Sequence, residues 1–364
     1  MTTQATTRGI GTVGKARSAL LFTLVLAAAL AALVAMVGTM RQAEAAASTE
    51  KIVFVSARTT GKGVNNPTGD YEIFKMNPNG TGLRQLTSNE VFDSRPHLSP
   101  DGQKILYHSQ GKQPSNPEGD QELYLMNAQD GSGQKNLTNN GGIVNERHAE
   151  FSPDGRKIAY SSEGEQEGNP QSDMEIYVMN ASDGSGKTNL SNNGEYLEDY
   201  DPHFSPDGQK IAYSSYGGQP SNPEGDMEVY VMNASDGSGQ KNLTTDNGPV
   251  AYDQAPHFSP DGQKVTYSSN GEQASNPEGD QEVYVMNAQD GSGQKNLTNN
   301  GGGVDEFFGV YSPDGQKLLY SSDGAQASNP EGETEVYVMN AQDGLAKKNL
   351  TNNNARDFYA EWGR

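Results

Sequence analysis

Acidic side chains recur in clusters along this sequence, and each cluster carries the kind of oxygen ligands that bind metal ions. The segment Ser115–Glu122 returns almost unchanged at Ser221–Glu228 and Ser275–Glu282. Divergent copies lie at Asn66–Glu72, Asn169–Glu175 and Asn329–Glu335. Carboxylate and amide oxygens are hard ligands that suit calcium. The copies therefore predict calcium as a cofactor, with the candidate metal ligands Glu118, Asp120, Glu122, Asp173, Glu175, Glu224, Asp226, Glu228, Glu278, Asp280 and Glu282.

A solvated acidic loop that was multiplied by recent duplication explains the same near-identity of the copies. The spacing of the acids also differs from that of an EF-hand, which places its ligands at fixed positions of one loop. Both interpretations, a calcium site and a solvated loop, stay open at this point.

A second set of acids emerges when the repeats are aligned on one aromatic or apolar residue, which is Leu98, Phe151, Phe204, Phe258, Tyr311 or Trp362. Five residues earlier stand Asp93, Glu146, Asp199, Asp253, Glu306 and Asp357. We expect these acids to bind a ligand at the mouth of a central channel, because like charges brought together there recruit a cation or raise one another's pKa. In the alternative, each acid accepts backbone N–H groups where the chain enters a strand.

Histidines occur at a third repeated position, one residue before the aligned aromatic or apolar residue. His97, His203 and His257 stand there, and the other copies have Glu150, Val310 and Glu361. Because the residue type varies at this position, the fold does not require one particular side chain there. We therefore expect the three imidazoles to contribute to a ligand site in the channel. The alternative is that each histidine packs on its strand without binding anything.

Composition excludes several classes of function. The chain has no cysteine, so disulfides, thiolate zinc sites and cysteine nucleophiles are absent. Its formal net charge of −21 would repel nucleic acids and anionic membrane surfaces. The sequence has no Gly-x-Ser-x-Gly elbow of a serine hydrolase. These observations favour a non-catalytic protein over an enzyme.

The elements that position these residues follow from an internal repeat. Ser-Pro-Asp-Gly begins at Ser99, Ser152, Ser205, Ser259 and Ser312, with spacings of 53, 53, 54 and 53 residues. Met-Asn recurs six times, at Met76, Met126, Met179, Met232, Met286 and Met339. Such periodicity is typical of repeat architectures. The chain therefore contains six units, of which the sixth is divided between the two ends.

Each unit divides into four strand-like segments that are separated by turn residues. In the unit around Phe204 they are 202–205, 210–214, 228–233 and 241–244. The third segment alternates polar and apolar residues, which is typical of a half-buried strand. Four antiparallel strands in each of six units predict an all-β, six-bladed β-propeller, a fold that leaves few free strand edges.

The two ends of the chain predict how the propeller closes. Residues 51–55 align with the second strand of a unit, and residues 357–362 align with a first strand. We therefore expect one blade to be completed by both termini, in a clasp that removes the free edges of an open array.

The repeats resemble the WD-like propeller repeat of the TolB family. The resemblance is carried by Pro202–Gly208, Ile211–Ser215, Glu228–Asn233 and Asn242–Thr244, together with their copies, and it covers residues 51–364. It implies a propeller, and propellers of this family serve as partner-binding platforms, as domains of peptidases and in other roles. In the TolB family proper, a periplasmic α/β domain precedes the propeller. Here we expect the propeller to begin within a few residues of the leader, so the resemblance does not imply membership of the Tol system.

The N-terminal residues are typical of a secretory leader. Arg8, Lys15 and Arg17 precede an uncharged, largely apolar stretch, residues 18–40, and small residues follow at 43–45. We expect a signal peptide at 1–45, a short linker at 46–50 and the propeller at 51–364. The apolar stretch is also long enough to span a bilayer, so a retained membrane anchor is the alternative.

The function predicted from the sequence is that of an exported bacterial protein, secreted, periplasmic or at the cell surface. We expect a monomeric, non-catalytic scaffold that binds a protein, peptide or glycan through its acidic long-loop face, with calcium as a candidate cofactor. We expect no nucleic-acid partner, and we expect contact with a membrane only through an uncleaved N-terminal segment. The alternative is a metal-dependent hydrolase or lyase with its site at the channel mouth.

Overall fold

A computed structural model describes residues 50–142, 144–164, 169–192, 194, 197–245, 251–271, 276–299 and 302–363. The predicted signal peptide, residues 1–45, and most of the predicted linker lie outside these residues. Across the described ranges, no helix has the length and hydropathy needed to cross a membrane.

The described residues form 24 β-strands. In chain order they are β1 (Lys51–Ser56), β2 (Glu72–Met76), β3 (Arg84–Gln85), β4 (Phe92–Leu98), β5 (Lys104–Gln110), β6 (Gln121–Asn127), β7 (Lys135–Asn136), β8 (Glu146–Phe151), β9 (Lys157–Ser162), β10 (Glu175–Asn180), β11 (Thr188–Asn189), β12 (Glu198–Phe204), β13 (Lys210–Tyr216), β14 (Met227–Asn233), β15 (Lys241–Asn242), β16 (Gln254–Phe258), β17 (Lys264–Ser269), β18 (Glu282–Asn287), β19 (Lys295–Asn296), β20 (Glu306–Tyr311), β21 (Lys317–Ser322), β22 (Glu335–Asn340), β23 (Lys348–Asn349) and β24 (Asp357–Gly363).

These strands pair into six antiparallel sheets of four strands each. Blade 1 has the order β24-β1-β2-β3, and blades 2 to 6 are β4–β7, β8–β11, β12–β15, β16–β19 and β20–β23. The first strand named in each blade is the innermost one and lines the central channel. The six-bladed, all-β propeller predicted from the sequence is confirmed.

The third strand of each blade is more deeply buried than its alternating pattern predicts. In β14 the five residues from Glu228 to Met232 are all buried, as are the five central residues of β13. The reason is that each blade is covered on both faces by its neighbours. Aromatic side chains pair across the second and third strands, as in Tyr213–Tyr230, whose ring centroids are 5.7 Å apart. Buried apolar area of this kind is the main favourable term for the fold.

The predicted clasp between the termini is also confirmed. Strand β1 pairs with β24 from Lys51↔Gly363 to Ser56↔Asp357. Beyond the pairing, Arg58 Nη2 lies 2.5 Å from Asp357 Oδ2, and both side chains are buried. The guanidinium also lies over the rings of Phe54 and Phe74. The N- and C-terminal strands are thus held by a ladder, an ion pair and cation–π contacts.

The turns between third and fourth strands bring neighbouring blades into close contact. A Cβ atom added at Gly237 would lie 1.8 Å from the carbonyl oxygen of Leu190 in the preceding blade. Equivalent glycines at 131, 184, 291 and 344 meet the equivalent leucine carbonyl at 1.9 to 2.1 Å. A glycine is therefore required here by the approach of the next blade as well as by its φ of +70°.

We expect Gly237→Ala to destabilise the protein by about 2 kcal/mol more than Gly208→Ala in the same blade. Both glycines have a φ of +70°, so the backbone strain is matched. The nearest atom to a Cβ at Gly208 is 3.8 Å away, so only the Gly237 variant must separate two blades. Urea unfolding of the two variants measures the difference. Equal losses of stability would show that the close approach relaxes without cost.

Candidate functional site

The central channel is lined by the innermost strands, and each of these strands contains the same backbone irregularity. Its register with the second strand shifts, as between Tyr200 and His203 in β12. The residue three before the aligned aromatic or apolar residue has a left-handed φ between 48° and 60° in every blade. These six residues, which we call the bulge belt, are Arg95, His148, Asp201, Ala255, Phe308 and Tyr359.

The bulge belt has a charged side and an aromatic side. Arg95 Nη1 lies 2.6 Å from Asp201 Oδ1, and His148 Nδ1 lies 3.2 Å from the same oxygen. The Arg95 guanidinium carbon is also 4.2 Å from the ring centroid of Tyr359 and 4.8 Å from that of Phe308. Arg95 therefore joins blade 2 to blades 1, 4 and 6 within the channel.

Two residues farther along the same strands lies a second layer, which contains the histidines predicted to face the channel. We call it the histidine–glutamate layer: His97, Glu150, His203, His257, Val310 and Glu361. His97 Nε2 lies 3.5 Å from Glu361 Oε1, and His203 Nε2 lies 3.5 Å from Glu150 Oε2. The structure thus brings the predicted histidines together with two glutamates on the channel wall.

Burial controls the charge of this layer. It lowers the pKa of His97 to about 4 and that of His257 to about 3. It raises the pKa of Glu361 to about 8, and it raises the pKa of Glu150 well above its ordinary value. At neutral pH the layer therefore consists of neutral imidazoles and protonated carboxyls, which offer both hydrogen-bond donors and acceptors.

A cavity of about 70 Å³ lies between the bulge belt and the histidine–glutamate layer. Since one water takes roughly 30 Å³ of the liquid, the cavity has room for about two waters or a small polar group. Pro96, Pro202 and Pro256 complete its wall. The channel can thus hold the tip of a side chain or a small ligand, in contact with carboxyl, imidazole and aromatic groups.

Glu361 predicts a pH dependence of stability. A folded pKa of about 8 against an ordinary value of 4.5 means that the folded state keeps a proton that the unfolded chain releases. The free energy of unfolding therefore falls as pH rises from about 4.5 to about 8. The buried histidines have the opposite effect, because their lowered pKa values make the free energy of unfolding rise with pH. This effect ends at their ordinary pKa of 6.5. We expect the Tm to fall from pH 6.5 to 8.5.

Other buried carboxyls titrate in the same pH range as Glu361. The variant Glu361→Gln therefore isolates the contribution of this one residue. The Tm of Glu361→Gln should fall less steeply with pH than that of the parent. Parallel curves would contradict the prediction, because they would mean that burial does not raise the pKa of Glu361.

The acids predicted at the channel mouth are buried and are not among the residues that line the channel cavity. At or next to the start of each innermost strand, and at most 1% exposed, are Asp93, Glu146, Asp199, Asp253, Glu306 and Asp357. None of them lies on the wall of the channel cavity. The bulge explains the difference, because an extra residue interrupts the alternation that would place these acids on the same side as the histidines. Asp93 instead accepts a hydrogen bond from Asn89 Nδ2 at 2.8 Å.

The predicted metal ligands of the long loops are likewise not gathered at one point. Asn116 closes its own loop, accepting from Gly119 N and donating to Asp120 O. Glu118 is exposed, Asp120 accepts from Val144 N, and Glu122 accepts from Thr138 Oγ1. Among the residues that the structure describes, no group of three or more His, Asp or Glu side chains is arranged to hold a metal ion.

Of the remaining loop acids, some are exposed to solvent and the others are at least partly buried. Glu224 and Glu278 are exposed, like Glu118. Buried or half-buried positions are taken by Asp173, Glu175, Asp226, Glu228, Asp280 and Glu282.

The two faces of the propeller differ in how their charges are used. On the long-loop face, exposed glutamates stand at equivalent loop positions, which are Glu118, Glu224, Glu278 and Glu331. Two exposed aromatic residues, Tyr216 and Tyr252, lie on the same face. On the short-turn face, Asp101 and Asp130 accept hydrogen bonds within their own turns, and Lys75 donates to backbone carbonyls of the next blade.

Sequence reasoning missed the bulge belt. The signal was present, because the six copies are similar elsewhere but hold six different residue types at this position. The left-handed φ itself is not readable from Arg, His, Asp, Ala, Phe or Tyr, none of which requires it.

Comparisons with known proteins match this architecture. A family described as the TolB beta propeller domain matches residues 200–363. The structure of TolB from Acinetobacter baumannii is 20% identical, with a TM-score of 0.64 over 86% of this chain and 67% of that one. A putative TolB from Agrobacterium tumefaciens is 19% identical, with a TM-score of 0.57 over 86% and 98% of the two chains.

A third similar structure is hydrazine synthase from Kuenenia stuttgartiensis, at 18% identity and a TM-score of 0.62. It covers 86% of this chain, which in turn spans 46% of that protein. Similarity at this level of identity establishes the fold and leaves the function to be argued from the site.

Proposed function

We propose that this chain, a TolB-like six-bladed β-propeller, is an exported scaffold that binds a protein, peptide or glycan without catalysing a reaction. The observation that carries the proposal is the exposed set of glutamates on the long-loop face, together with Tyr216 and Tyr252. The repeated turns on the other face use their acids and lysines in hydrogen bonds within the protein, so they offer less to a partner. The leader predicted at 1–45 supports export.

The charge of the long-loop face favours one kind of partner. Four glutamates on separate blades present negative charge around the channel, and the whole chain carries −21. Complementary charge accelerates association and selects against acidic partners. The aromatic rings of Tyr216 and Tyr252 add contact area at low entropic cost. A basic protein segment or peptide fits this surface best, and glycan binding through the tyrosines is the other outcome of the test.

The experiment compares binding of a labelled lysine-rich peptide to the parent and to the variant Glu118→Gln/Glu224→Gln/Glu278→Gln/Glu331→Gln. Since exposed ion pairs contribute a few tenths of a kcal/mol each, we expect the variant to bind about tenfold more weakly. The affinity of the parent should also fall with added salt.

The control adds the same charge to the opposite face, through Gln103→Lys/Gln209→Lys/Gln263→Lys/Gln316→Lys. These glutamines are exposed, and Arg156 occupies the equivalent position in blade 3, so a basic residue is compatible with the fold there. If both variants lose affinity equally, net charge and not the long-loop face determines binding. If neither does, or an oligosaccharide binds and the peptide does not, the basic partner is wrong.

A second candidate function is a metal-dependent hydrolase or lyase, and the channel cavity favours it. Titratable groups with strongly shifted pKa values that line a cavity mark candidate catalytic sites, and His97, His203, Glu150 and Glu361 meet that description. A screen of glycoside, lactone and phosphoester substrates with divalent metals tests it. Activity that disappears in His203→Ala would establish the enzyme and displace the scaffold.

A further inference from the structure

Lys187 stands beside a buried glutamate at the boundary between blades 2 and 3. It directly precedes β11, and its Nζ lies 3.8 Å from Oε1 of Glu146 at the start of β8. The Glu146 side chain is 0% exposed, and that of Lys187 is 29% exposed. The same ammonium group donates to Thr138 O, two residues after β7 of blade 2, at 3.4 Å. The tip of the lysine is therefore held between the two blades.

The side chain of Asn140 reaches the same carboxyl oxygen from the connection between the two blades. Its Nδ2 donates to Glu146 Oε1 at 2.5 Å. One oxygen therefore faces both the nitrogen of a primary amine and the nitrogen of a carboxamide. Asn140 is exposed, and a Cβ added at Gly141 or Gly142 would meet nothing within 4 Å. The connection thus has room to move toward the lysine, and the carboxamide is open to water on one side.

The same three residue types come together at the boundary of blades 5 and 6. The asparagine lies within an Asn-Asn-Gly-Gly segment, the glutamate begins the innermost strand, and the lysine stands two residues before the fourth-strand asparagine. These residues are Asn140, Glu146 and Lys187 at one boundary and Asn300, Glu306 and Lys347 at the other. The other four blades have Leu or Gln at the place of the lysine. Asn300 lies outside the described residues, and Lys347 lowers the pKa of Glu306 as Lys187 lowers that of Glu146.

The remaining boundaries show the asparagine without the amine. Asn89 Nδ2 donates to Asp93 at 2.8 Å at the boundary of blades 1 and 2. In blade 4 the place of Lys187 is taken by Gln240, whose Nε2 donates at 3.3 Å to Ser191 O, the counterpart of Thr138 O. An asparagine bound to the acid is thus part of the repeat, and the nucleophilic amine is added to it at two boundaries.

We propose that Lys187 and Asn140 react in the folded chain to form an isopeptide bond, with Glu146 as the proton shuttle between their nitrogens. A lysine amine is a nucleophile once an adjacent base has taken its proton. The base must lie within reach of the proton that it removes, and the same carboxyl can return a proton to a leaving group. Glu146 Oε1 meets both requirements, because it lies beside the attacking and the departing nitrogen.

The reaction balances without any further reactant. Glu146 takes a proton from the Lys187 ammonium group, and the neutral amine attacks Asn140 Cγ. The Nζ–Cγ bond forms, the carboxyl passes a proton from Nζ to Nδ2, and the Cγ–Nδ2 bond breaks. Ammonia leaves to the solvent and takes the last proton from Glu146, so the products are an amide cross-link and an ammonium ion.

Burial of Glu146 supports its role as the shuttle. Burial raises the pKa of this carboxyl to about 9, although the positive charge of Lys187 acts in the opposite direction. A carboxyl with a pKa in this range accepts a proton from an amine at a small cost. The three groups also lie in one network of contacts, so the reaction needs no encounter between separate molecules.

The cross-link has a consequence for stability that does not depend on the partner of the long-loop face. A bond between residues 140 and 187 closes a covalent loop that contains β8, β9 and β10. As with a disulfide, such a loop restricts the unfolded chain and thereby stabilises the folded one. The proposal therefore goes beyond the binding function and can fail or hold without it.

The test is tandem mass spectrometry of tryptic peptides from the folded, full-length chain. Modification of Lys187 blocks cleavage after it, so we expect a branched peptide that joins residues 136–147 to residues 158–210. Its mass should be lower by one ammonia than the sum of its two parts. Lys187→Arg keeps a positive charge beside Glu146 but removes the nucleophile, so the branched peptide should be absent and the Tm lower by several degrees.

Two further variants separate the reaction from a general change in structure. Glu146→Gln keeps a side chain of the same size but removes the proton shuttle, so the branched peptide should be lost or reduced at least about tenfold. Lys241→Arg is the matched control, because Lys241 also donates to a backbone carbonyl of the next blade, at 2.8 Å to Gln289 O. It should leave the branched peptide and the Tm unchanged.

Separate peptides of full mass from folded parent protein overturn the proposal, and the contact between Lys187 and Glu146 is then a salt bridge alone. A branched peptide that persists undiminished in Glu146→Gln overturns the role of the carboxyl. Conversion of Asn140 to aspartate in place of a cross-link also overturns the proposal, because the carboxamide then reacts with the Gly141 nitrogen or with water instead of the lysine.

Discussion

Deletion of residues 357–364 is expected to destabilise the whole propeller, although these are only the last eight residues of the chain. The deletion removes β24, and with it the ladder to β1, the Arg58–Asp357 ion pair and the hydrogen bond from Trp362 Nε1 to Val310 O in blade 6. Blade 1 then lacks its innermost strand, and blade 6 loses a neighbour. We expect the Tm to fall by about 10 °C or more, measured by circular dichroism.

The control for this deletion keeps all 24 strands described here but changes the connection between them. In a circular permutant, Gly363 is joined to Lys51 by a short linker and the chain is opened at Gly218, which lies in an exposed long loop. Because Gly363 and Lys51 are partners in the ladder, a tight turn can join them. The permutant should melt close to the parent. A deletion variant that does so as well would show that closure by β24 contributes little.

Substitution Asp201→Ala is expected to have the second largest effect, a loss of about 4 kcal/mol in the free energy of unfolding. Asp201 accepts from Arg95 at 2.6 Å in the channel, where its side chain is 11% exposed. The variant leaves a guanidinium largely removed from water without its anionic partner, and the remaining contacts with Tyr359 and Phe308 do not replace a carboxylate. Chemical denaturation measures the loss.

The matched control is the double variant Arg95→Leu/Asp201→Leu, which removes both charges at once. It should be much more stable than Asp201→Ala, because replacing a buried ion pair by apolar residues is often neutral. If the single and double variants are equally unstable, packing at the bulge belt and not the charge of Arg95 determines the loss.

The architecture was readable from the sequence because it is repeated. The turns that begin at Ser99 and its copies fix the period, and the strand remnants at 51–55 and 357–362 indicate where the ends meet. The positions of His97, His203 and His257 on the channel wall also followed, since they lie one residue before a residue whose side chain anchors the end of the strand.

The six acids five residues earlier could not be placed from the pattern. Strict alternation puts Asp93 and His97 on one side of β4, but the register shift between Ser94 and His97 separates them. A bulge of this kind depends on how the innermost strands crowd around the channel, which is a property of the assembled propeller.

The left-handed residue in each innermost strand also bears on how the interior of this protein can change. One backbone conformation accommodates arginine, histidine, aspartate, alanine, phenylalanine and tyrosine in the six blades. The backbone conformation there therefore places no demand on the residue type, and the cost of a substitution comes from the side-chain partners that are lost, as at Asp201. Point mutations can therefore alter the chemistry of the cavity one blade at a time, so that duplicated copies of a single ancestral unit are able to diverge into an asymmetric site while the scaffold stays the same.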